Sequence, residues 1–211
     1  MDSVYALDNE LVARRGRLYA QLWGREPDFV CHQTDAEVPH IDVYRFPPTH
    51  EESCPVSFRN VYITAGMSDV PMSVPDRLAD SIPSRIEISA YSDEVIMMEN
   101  GKADFICTIL HWMAHHPFRQ STFFASSQTF QVGRPIIPQS EMTAYYFAQT
   151  PIVDAGKLFD HTPKAEGFVH LVPISEAERR LAVEAGSKKL LELFHNHGVN
   201  PDFDLKRKSL L

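Results

Sequence analysis

The sequence predicts an α+β fold, a single domain in which a mixed, mainly antiparallel sheet is flanked by helices. Segments 41–46, 61–65 and 85–91 alternate apolar and polar residues, the pattern of strands. Segments 8–23 and 103–116 place apolar residues at helical spacing, the pattern of amphipathic helices. Because no crossover helix separates the first three strands, we expect antiparallel neighbours rather than βαβ units.

The length and composition fit one globular domain. The chain has 211 residues, of which 44% are hydrophobic and 23% are charged, a balance typical of folded rather than disordered proteins. We expect residues 1–198 to form the domain. Residues 199–211, with the basic cluster Lys206-Arg207-Lys208, are expected to form a polar tail.

The first predicted element is a helix over residues 8–23, with Asp8 as its N-cap. Its apolar residues approximate one face: Leu11, Leu18, Tyr19, Leu22 and Trp23. A glycine and then a proline in segment 24–30 predict its end. The strands follow, and segment 85–91 has the clearest alternation, which predicts one buried and one wetter face.

The second helix, over residues 103–116, contains three of the ten histidines. A helical projection predicts an inner stripe of Ile106, Ile109, Leu110 and Met113, flanked by Phe105, Trp112, Cys107 and Ala114. The remaining residues form a narrow polar strip: Asp104, Thr108, His111 and His115. Pro117 is expected to end the helix.

His111 and His115 have the i, i+4 spacing with which two imidazoles bind one metal ion on a helix. A zinc protease helix would carry its glutamate where this chain has Trp112. Asp104 lies about 10 Å of helix rise from His111, too far to share an ion. The pattern therefore favours a structural role, and we predict no catalytic residue, metal or cofactor. A metal-dependent hydrolase that uses both histidines with a distant third ligand stays the alternative.

Two further strands and two helices are predicted in the C-terminal part. The strands are 142–148 and 168–174. Ser175 and Glu178 form an S-x-x-E capping box, which predicts a helix that runs to Gly186. A second helix starts at Ser187 and ends near Gly198.

The charge and the cysteines restrict the class of protein. The net charge of −8 opposes binding to nucleic acid and favours cationic partners. Cys31, Cys54 and Cys107 are odd in number and widely spaced, which argues against a disulfide framework and a thiolate zinc site. The early residues lack an apolar signal segment, and no run is long enough to span a membrane, so a cytoplasmic location is expected.

Several segments, in order, resemble the suppressor-of-fused domain family. The strand VYITA runs into a G-M-S-D turn at Gly66, Met67, Ser68 and Asp69. The other segments are HIDVYRFPPT (40–49), RIEISAYS (85–92), the histidine helix, STFFASSQTFQVGRPI (121–136) and FVHLVPISEAE (168–178). The similarity spans about residues 20–198.

The resemblance implies a noncatalytic protein-interaction domain of the stand-alone bacterial type. Its animal relatives sequester transcription factors and bind a peptide as an added strand, a form of β-augmentation. Where they have an acid that contacts the peptide, this chain has Gln128. Bacterial members resemble immunity proteins of toxin systems, and an acidic chain suits a basic toxin domain. A transcriptional or signalling regulator that sequesters a protein is a further alternative.

The G-M-S-D turn has two interpretations. Gly66 permits a positive φ, and Ser68 or Asp69 can bind local backbone amides, which favours a role in the fold. The alternative is that Gly66, Met67, Ser68 and Asp69, with Gln128, contact the partner.

Overall fold

The structure is a computed structural model that describes residues 9–33, 37–49, 58–98, 101, 103–149 and 167–211. These residues divide into two compact units. The first contains the described residues up to Phe123 together with Gly167 and Phe168. The second contains residues 124–149 and 169–211. Each unit has its own strands, helices and apolar core.

Four α-helices and seven strands occur in the described part of the chain. The helices are α1 (Asn9–Trp23), α2 (Phe105–Arg119), α3 (Glu176–Glu184) and α4 (Ser187–Asn196). The strands are β1 (Phe29–Cys31), β2 (Asp42–Phe46), β3 (Asn60–Ala65), β4 (Ile86–Ser92), β5 (Thr129–Gln131), β6 (Met142–Gln149) and β7 (Gly167–Ser175). Two short 3-10 helices, Met67–Asp69 and Asp76–Leu78, lie between β3 and β4.

In the first unit, strands β1 to β4 pair in chain order and every pair is antiparallel. Helix α1 covers one face, where Tyr19 makes an edge-on contact with Tyr44. Helix α2 packs against the four strands and binds Tyr62 through Asp104, its N-cap residue. Tyr62 is next to Ile63, which lies opposite Tyr44 in the register, so these two tyrosines point to opposite faces. The sheet is therefore covered on both faces, and β3 and β4 are buried at every position.

The second unit contains β5, β6 and the part of β7 from Val169 onward, in two antiparallel pairs, with α3 packed on β6 and on α4. Its core consists of alanine, larger aliphatic and aromatic residues of these elements: Ala144, Tyr146, Ala148, Val172, Ile174, Ala182, Leu190 and Phe194. The capping box at the start of α3 is present in full. The C-terminal segment belongs to this unit, since Phe203 and Leu205 are buried and the Leu205 carbonyl accepts a 2.6 Å hydrogen bond from Ser140.

The structure confirms the α+β class and the mainly antiparallel sheet flanked by helices. Every predicted helix and strand is present within a few residues of its predicted limits. The predicted limits of the domain stay a prediction. The same holds for the polar tail predicted over residues 199–211, in which Phe203 and Leu205 are buried. The predicted N-cap Asp8 and the cysteine Cys54 lie outside the described residues.

Two expectations about local structure were wrong. The wetter face predicted for β4 is buried, because Glu87 and Ser89 point into the interior of a sheet that is covered on both sides. Pro117 does not end α2, which runs to Arg119. A proline in the last turn removes only its own N–H bond, and later amides still bond, such as that of Gln120 to the His116 carbonyl.

Two strands were not predicted by the sequence pattern. β1 and β5 have only three residues each, too few for an alternating pattern to be recognised. Among the described residues, no helix is both long and apolar enough to cross a membrane.

Candidate functional site

The G-M-S-D turn is anchored on a buried carboxylate. Glu87 of β4 is fully buried, and one of its oxygens accepts hydrogen bonds from the Gly66 amide (3.1 Å), the Ser68 amide (3.1 Å) and the Ser68 hydroxyl (2.6 Å). The other oxygen accepts from the Thr64 hydroxyl at 2.7 Å. Burial raises the pKa of Glu87, although the charge of Arg15 and these hydrogen bonds oppose the rise. The turn is thus built around one side chain.

Two arginines fix the turn from outside. The Arg15 guanidinium of α1 binds both carboxylate oxygens of Asp69, one of them at 3.0 Å. Arg85 donates to the Ser68 and Asp69 carbonyls at 2.8 and 2.6 Å. Met67 and Ser68 are buried, and Asp69 is partly exposed. These contacts support the structural interpretation of the turn, and its use in partner binding stays a prediction.

Gly66 is required by its backbone angle and by a close neighbour. Its φ is +119°, a region that residues with a Cβ rarely adopt. A Cβ on Gly66 would overlap the backbone carbonyl oxygen of His40, and neither backbone can give way as a flexible side chain would. A glycine is therefore the residue that this turn accommodates.

We expect Gly66→Ala to lower the free energy of unfolding by about 2–3 kcal/mol, from backbone strain and overlap together. Gly133→Ala is the matched control, since Gly133 has φ +78° and no heavy atom lies within 4 Å of the place that a Cβ would take. The free energy of unfolding of the control should fall by about 1 kcal/mol. Urea denaturation of both variants measures the difference, and equal losses would show that the His40 carbonyl is unimportant.

Gln128 lies in the second unit and closes a local turn. Its side-chain oxygen accepts a 3.0 Å hydrogen bond from the Ala125 amide, and its carbonyl accepts a 2.9 Å bond from the Phe147 amide. The side chain is partly exposed. The structure therefore gives Gln128 a local role, and its predicted contact with a partner is untested.

Asp104 and His115, the two ends of the predicted polar strip of α2, are buried. Asp104 caps α2 through the amides of Ile106 and Cys107, and its other oxygen accepts from Arg45 at 2.8 Å and from Tyr62 at 3.1 Å. Asp104 and His115 are 2% and 0% exposed, so the strip is not a solvated seam. Polar residues can face a protein interior when long-range partners bind them, and those partners are remote in the sequence.

His115 is hydrogen-bonded at both ring nitrogens. Nδ1 lies 2.8 Å from the His111 carbonyl oxygen, and Nε2 lies 3.1 Å from Gln33 Oε1 and 3.2 Å from the Pro39 carbonyl oxygen. All three neighbours are protein oxygens, so both ring nitrogens face the protein interior at hydrogen-bonding distance, and neither faces an open position that a metal ion could occupy. Among the described residues, no three His, Cys, Asp or Glu side chains are placed to hold one ion.

The outward face of α2 is apolar. Trp112 is 41% exposed, and Phe105 and Ile109, one helical turn apart on the same face, are partly exposed. The segment before the helix lies beside its first turn, since the Phe105 amide donates to the Ile96 carbonyl at 2.7 Å. Met97 in that segment is 51% exposed. These four residues together with Val95, which is 40% exposed, are called the α2 apolar surface.

The sequence did not reveal this surface. The projection assigned Ile109 to the inner stripe and Trp112 to its flank, because it assumed that apolar residues face the core. The available signal was the unbroken apolar run of residues 95–98, because alternate side chains of an extended segment point to opposite sides and the four cannot all face one neighbour. The buried thiol of Cys107 is no nucleophile candidate, since burial raises its pKa.

Comparisons with known proteins identify a family. The family model for Suppressor of fused protein (SUFU) matches residues 37–208. No curated protein matches the chain.

Three solved structures share the fold. A SUFU homologue from Neisseria gonorrhoeae FA 1090 is 17% identical with a TM-score of 0.63, over 96% of this chain and 97% of that one. A chain of the Sufu–Fu complex is 12% identical with a TM-score of 0.62, over 95% and 91%. Drosophila Suppressor of Fused is 14% identical with a TM-score of 0.61, over 97% of this chain and 54% of that one. At these identities the likeness shows the fold alone.

Proposed function

The chain belongs to the suppressor of fused protein family, and from this premise we propose that it is a noncatalytic domain that binds a protein partner. A structurally similar chain comes from a complex of two proteins, Sufu and Fu, which supports protein binding as the function. We propose that this binding takes place in the cytoplasm.

The observation that carries the proposal is the α2 apolar surface. A helix normally turns its polar residues outward, but α2 turns Asp104 and His115 inward and Trp112 outward. Adjacent apolar side chains that remain exposed mark interaction sites more often than single exposed ones do. Tryptophan is also among the residues that contribute most to protein interfaces.

A more specific form of the proposal is an immunity protein that neutralises a toxin domain. The net charge of −8 supports it, because an acidic chain associates faster with a basic partner. A regulator that sequesters a transcription or signalling protein would use the same kind of surface, and the identity of the partner separates the two. The metal-dependent hydrolase is not favoured, because His115 directs both ring nitrogens at acceptor oxygens.

Purification of the tagged chain from its native cells tests the general function. We expect one protein to co-purify in near-stoichiometric amount and to rebind when both proteins are pure. Failure to find a partner under several growth conditions would contradict the proposal.

The immunity form has its own test. A neighbouring gene should encode a large secreted protein with a basic C-terminal domain, and co-expression of this chain should restore growth to cells that produce that domain. If the domain remains toxic, the immunity form is wrong while protein binding still stands.

A further inference from the structure

We propose that the α2 apolar surface binds a basic segment of the partner that presents apolar side chains beside its lysines or arginines. This inference rests on the proposed protein-binding function and specifies the chemistry of the partner. It follows from two properties of the surface, its exposed apolar side chains and the sign of the charges beside them.

The apolar side chains provide the anchor. Trp112 and Met97 expose 41% and 51% of their surface, and both side chains can cover a ligand with little polar area to desolvate. Phe105 and Ile109 are further apolar side chains on the same face of the helix. A partner side chain that covers these residues removes apolar surface from water, which is the main source of binding free energy.

Among the described residues near the first turn of α2, two ion pairs expose an aspartate more than its arginine. The Arg45 guanidinium forms ion pairs with Asp104 and with Asp28. The Arg45 side chain is 13% exposed, whereas that of Asp28 is 40% exposed. Arg59 forms an ion pair with Asp93, and here too the arginine is the less exposed partner, at 25% against 76%. In each pair the guanidinium is more buried than the aspartate that meets solvent, so a carboxylate is presented outward.

A further acidic side chain lies next to the α2 apolar surface in the sequence. Glu94 directly precedes Val95 and is exposed. At the other end of α2 the order is reversed, since the Arg119 side chain is 41% exposed and that of its partner Glu37 is 25% exposed. The acidic end of the surface is thus beside Met97 and Phe105, where we expect the cations of the partner to lie.

A second copy of this chain is not the expected occupant. It would bring the same acidic side chains to the interface, and each copy carries a net charge of −8. Like charges that face each other across an interface are unfavourable. A basic, partly apolar segment satisfies both properties of the surface.

Selection from a library of random displayed peptides tests the inference directly. The wild-type chain is the target, and each enriched peptide is then synthesised and titrated against three proteins. These are the wild type, the variant Met97→Asp/Trp112→Asp, and the control Val183→Asp/Leu191→Asp. The control alters two exposed apolar residues of α3 and α4, 62% and 45% exposed, and adds the same two charges. Circular dichroism confirms that all three proteins are folded.

We expect the enriched peptides to be cationic with aromatic or aliphatic residues. They should bind the Met97→Asp/Trp112→Asp variant on the order of thirtyfold more weakly, as loss of a central aromatic anchor does. Binding to the control should change little, because its charges lie on α3 and α4. Peptide binding should also shift the Trp112 emission, and Trp112→Phe should abolish that shift, since the other tryptophan, Trp23, is buried.

Four results would overturn the inference. They are enrichment of acidic or uncharged peptides, equal binding to the two double variants, no enrichment at all, and self-association through the surface. Equal binding would leave the protein-binding function standing with its site elsewhere. Self-association of the wild type that Trp112→Asp abolishes would assign the surface to a second copy instead. The co-purification experiment tests the proposed protein-binding function separately, because its outcome does not depend on whether the partner has a basic segment.

Discussion

Replacement of Glu87 by leucine is expected to lower the free energy of unfolding by about 4–5 kcal/mol. Leucine keeps the apolar volume but removes the acceptor for the Gly66 and Ser68 amides, which are buried. Each buried amide left without a partner costs about 1–3 kcal/mol. The Thr64 hydroxyl also loses its acceptor. Urea denaturation of the purified variant measures the loss, and low soluble yield would agree with it.

Glu87→Gln is the graded control. Its amide oxygen can still accept from the Gly66 and Ser68 amides, so we expect a loss of about 1–2 kcal/mol. A leucine variant as stable as the glutamine variant would show that the hydrogen bonds of Glu87 do not hold the turn together.

The second large effect is expected at Arg207, for which we predict a loss of about 3–5 kcal/mol on replacement by alanine. Its guanidinium binds both oxygens of the fully buried Glu178 at 2.6 Å and donates to the Pro173 carbonyl at 2.9 Å. It also lies over the Phe194 ring, 5.2 Å from the centroid. Without Arg207, the Glu178 carboxylate stays buried with no cation, and the C-terminal segment loses its main attachment to α3.

Two variants define the cause of the Arg207 effect. Arg207→Lys retains the charge but not the bidentate geometry, so it should recover only part of the loss. Lys208→Ala removes the neighbouring cation, whose partner Glu141 is exposed, and should change stability little. An equal loss for the Arg207→Ala and Lys208→Ala variants would contradict a specific role for the buried pair.

The same pair predicts a pH dependence. Burial tends to raise the pKa of Glu178, but the hydrogen bonds and charge of Arg207 outweigh it and hold the pKa below its ordinary value. A carboxyl with a lowered pKa in the folded state stabilises the fold above its unfolded pKa of about 4.3. That contribution disappears as pH falls through the folded pKa. Because the unfolded states of the two proteins titrate alike, the stability difference between wild type and Arg207→Ala should shrink as the pH falls toward the lowered folded pKa of Glu178, as denaturation at neutral and acid pH can show. A constant difference would contradict it.

Most of the fold was predictable because its signals are local. Alternation located β2, β3 and β4, and the Ser175 and Glu178 capping box located the start of α3, since each signal depends on residues within one turn or strand. The three-residue strands β1 and β5 are too short to give such a signal. The candidate site was less predictable. The turn at Gly66 was located, but the α2 apolar surface was not.

The sequence by itself determined the class of fold, the order of its elements and the glycine turn after β3. Only the tertiary structure decided which face of each element is buried. Glu87 and His115 are polar and fully buried because partners distant in the sequence, such as Ser68 and Gln33, satisfy them. Trp112 is apolar and exposed because the opposite side of α2 is turned inward, where Asp104 binds Arg45 and His115 contacts Gln33. Periodicity identifies two faces of an element, but the free energy of burial depends on the partners that meet each face.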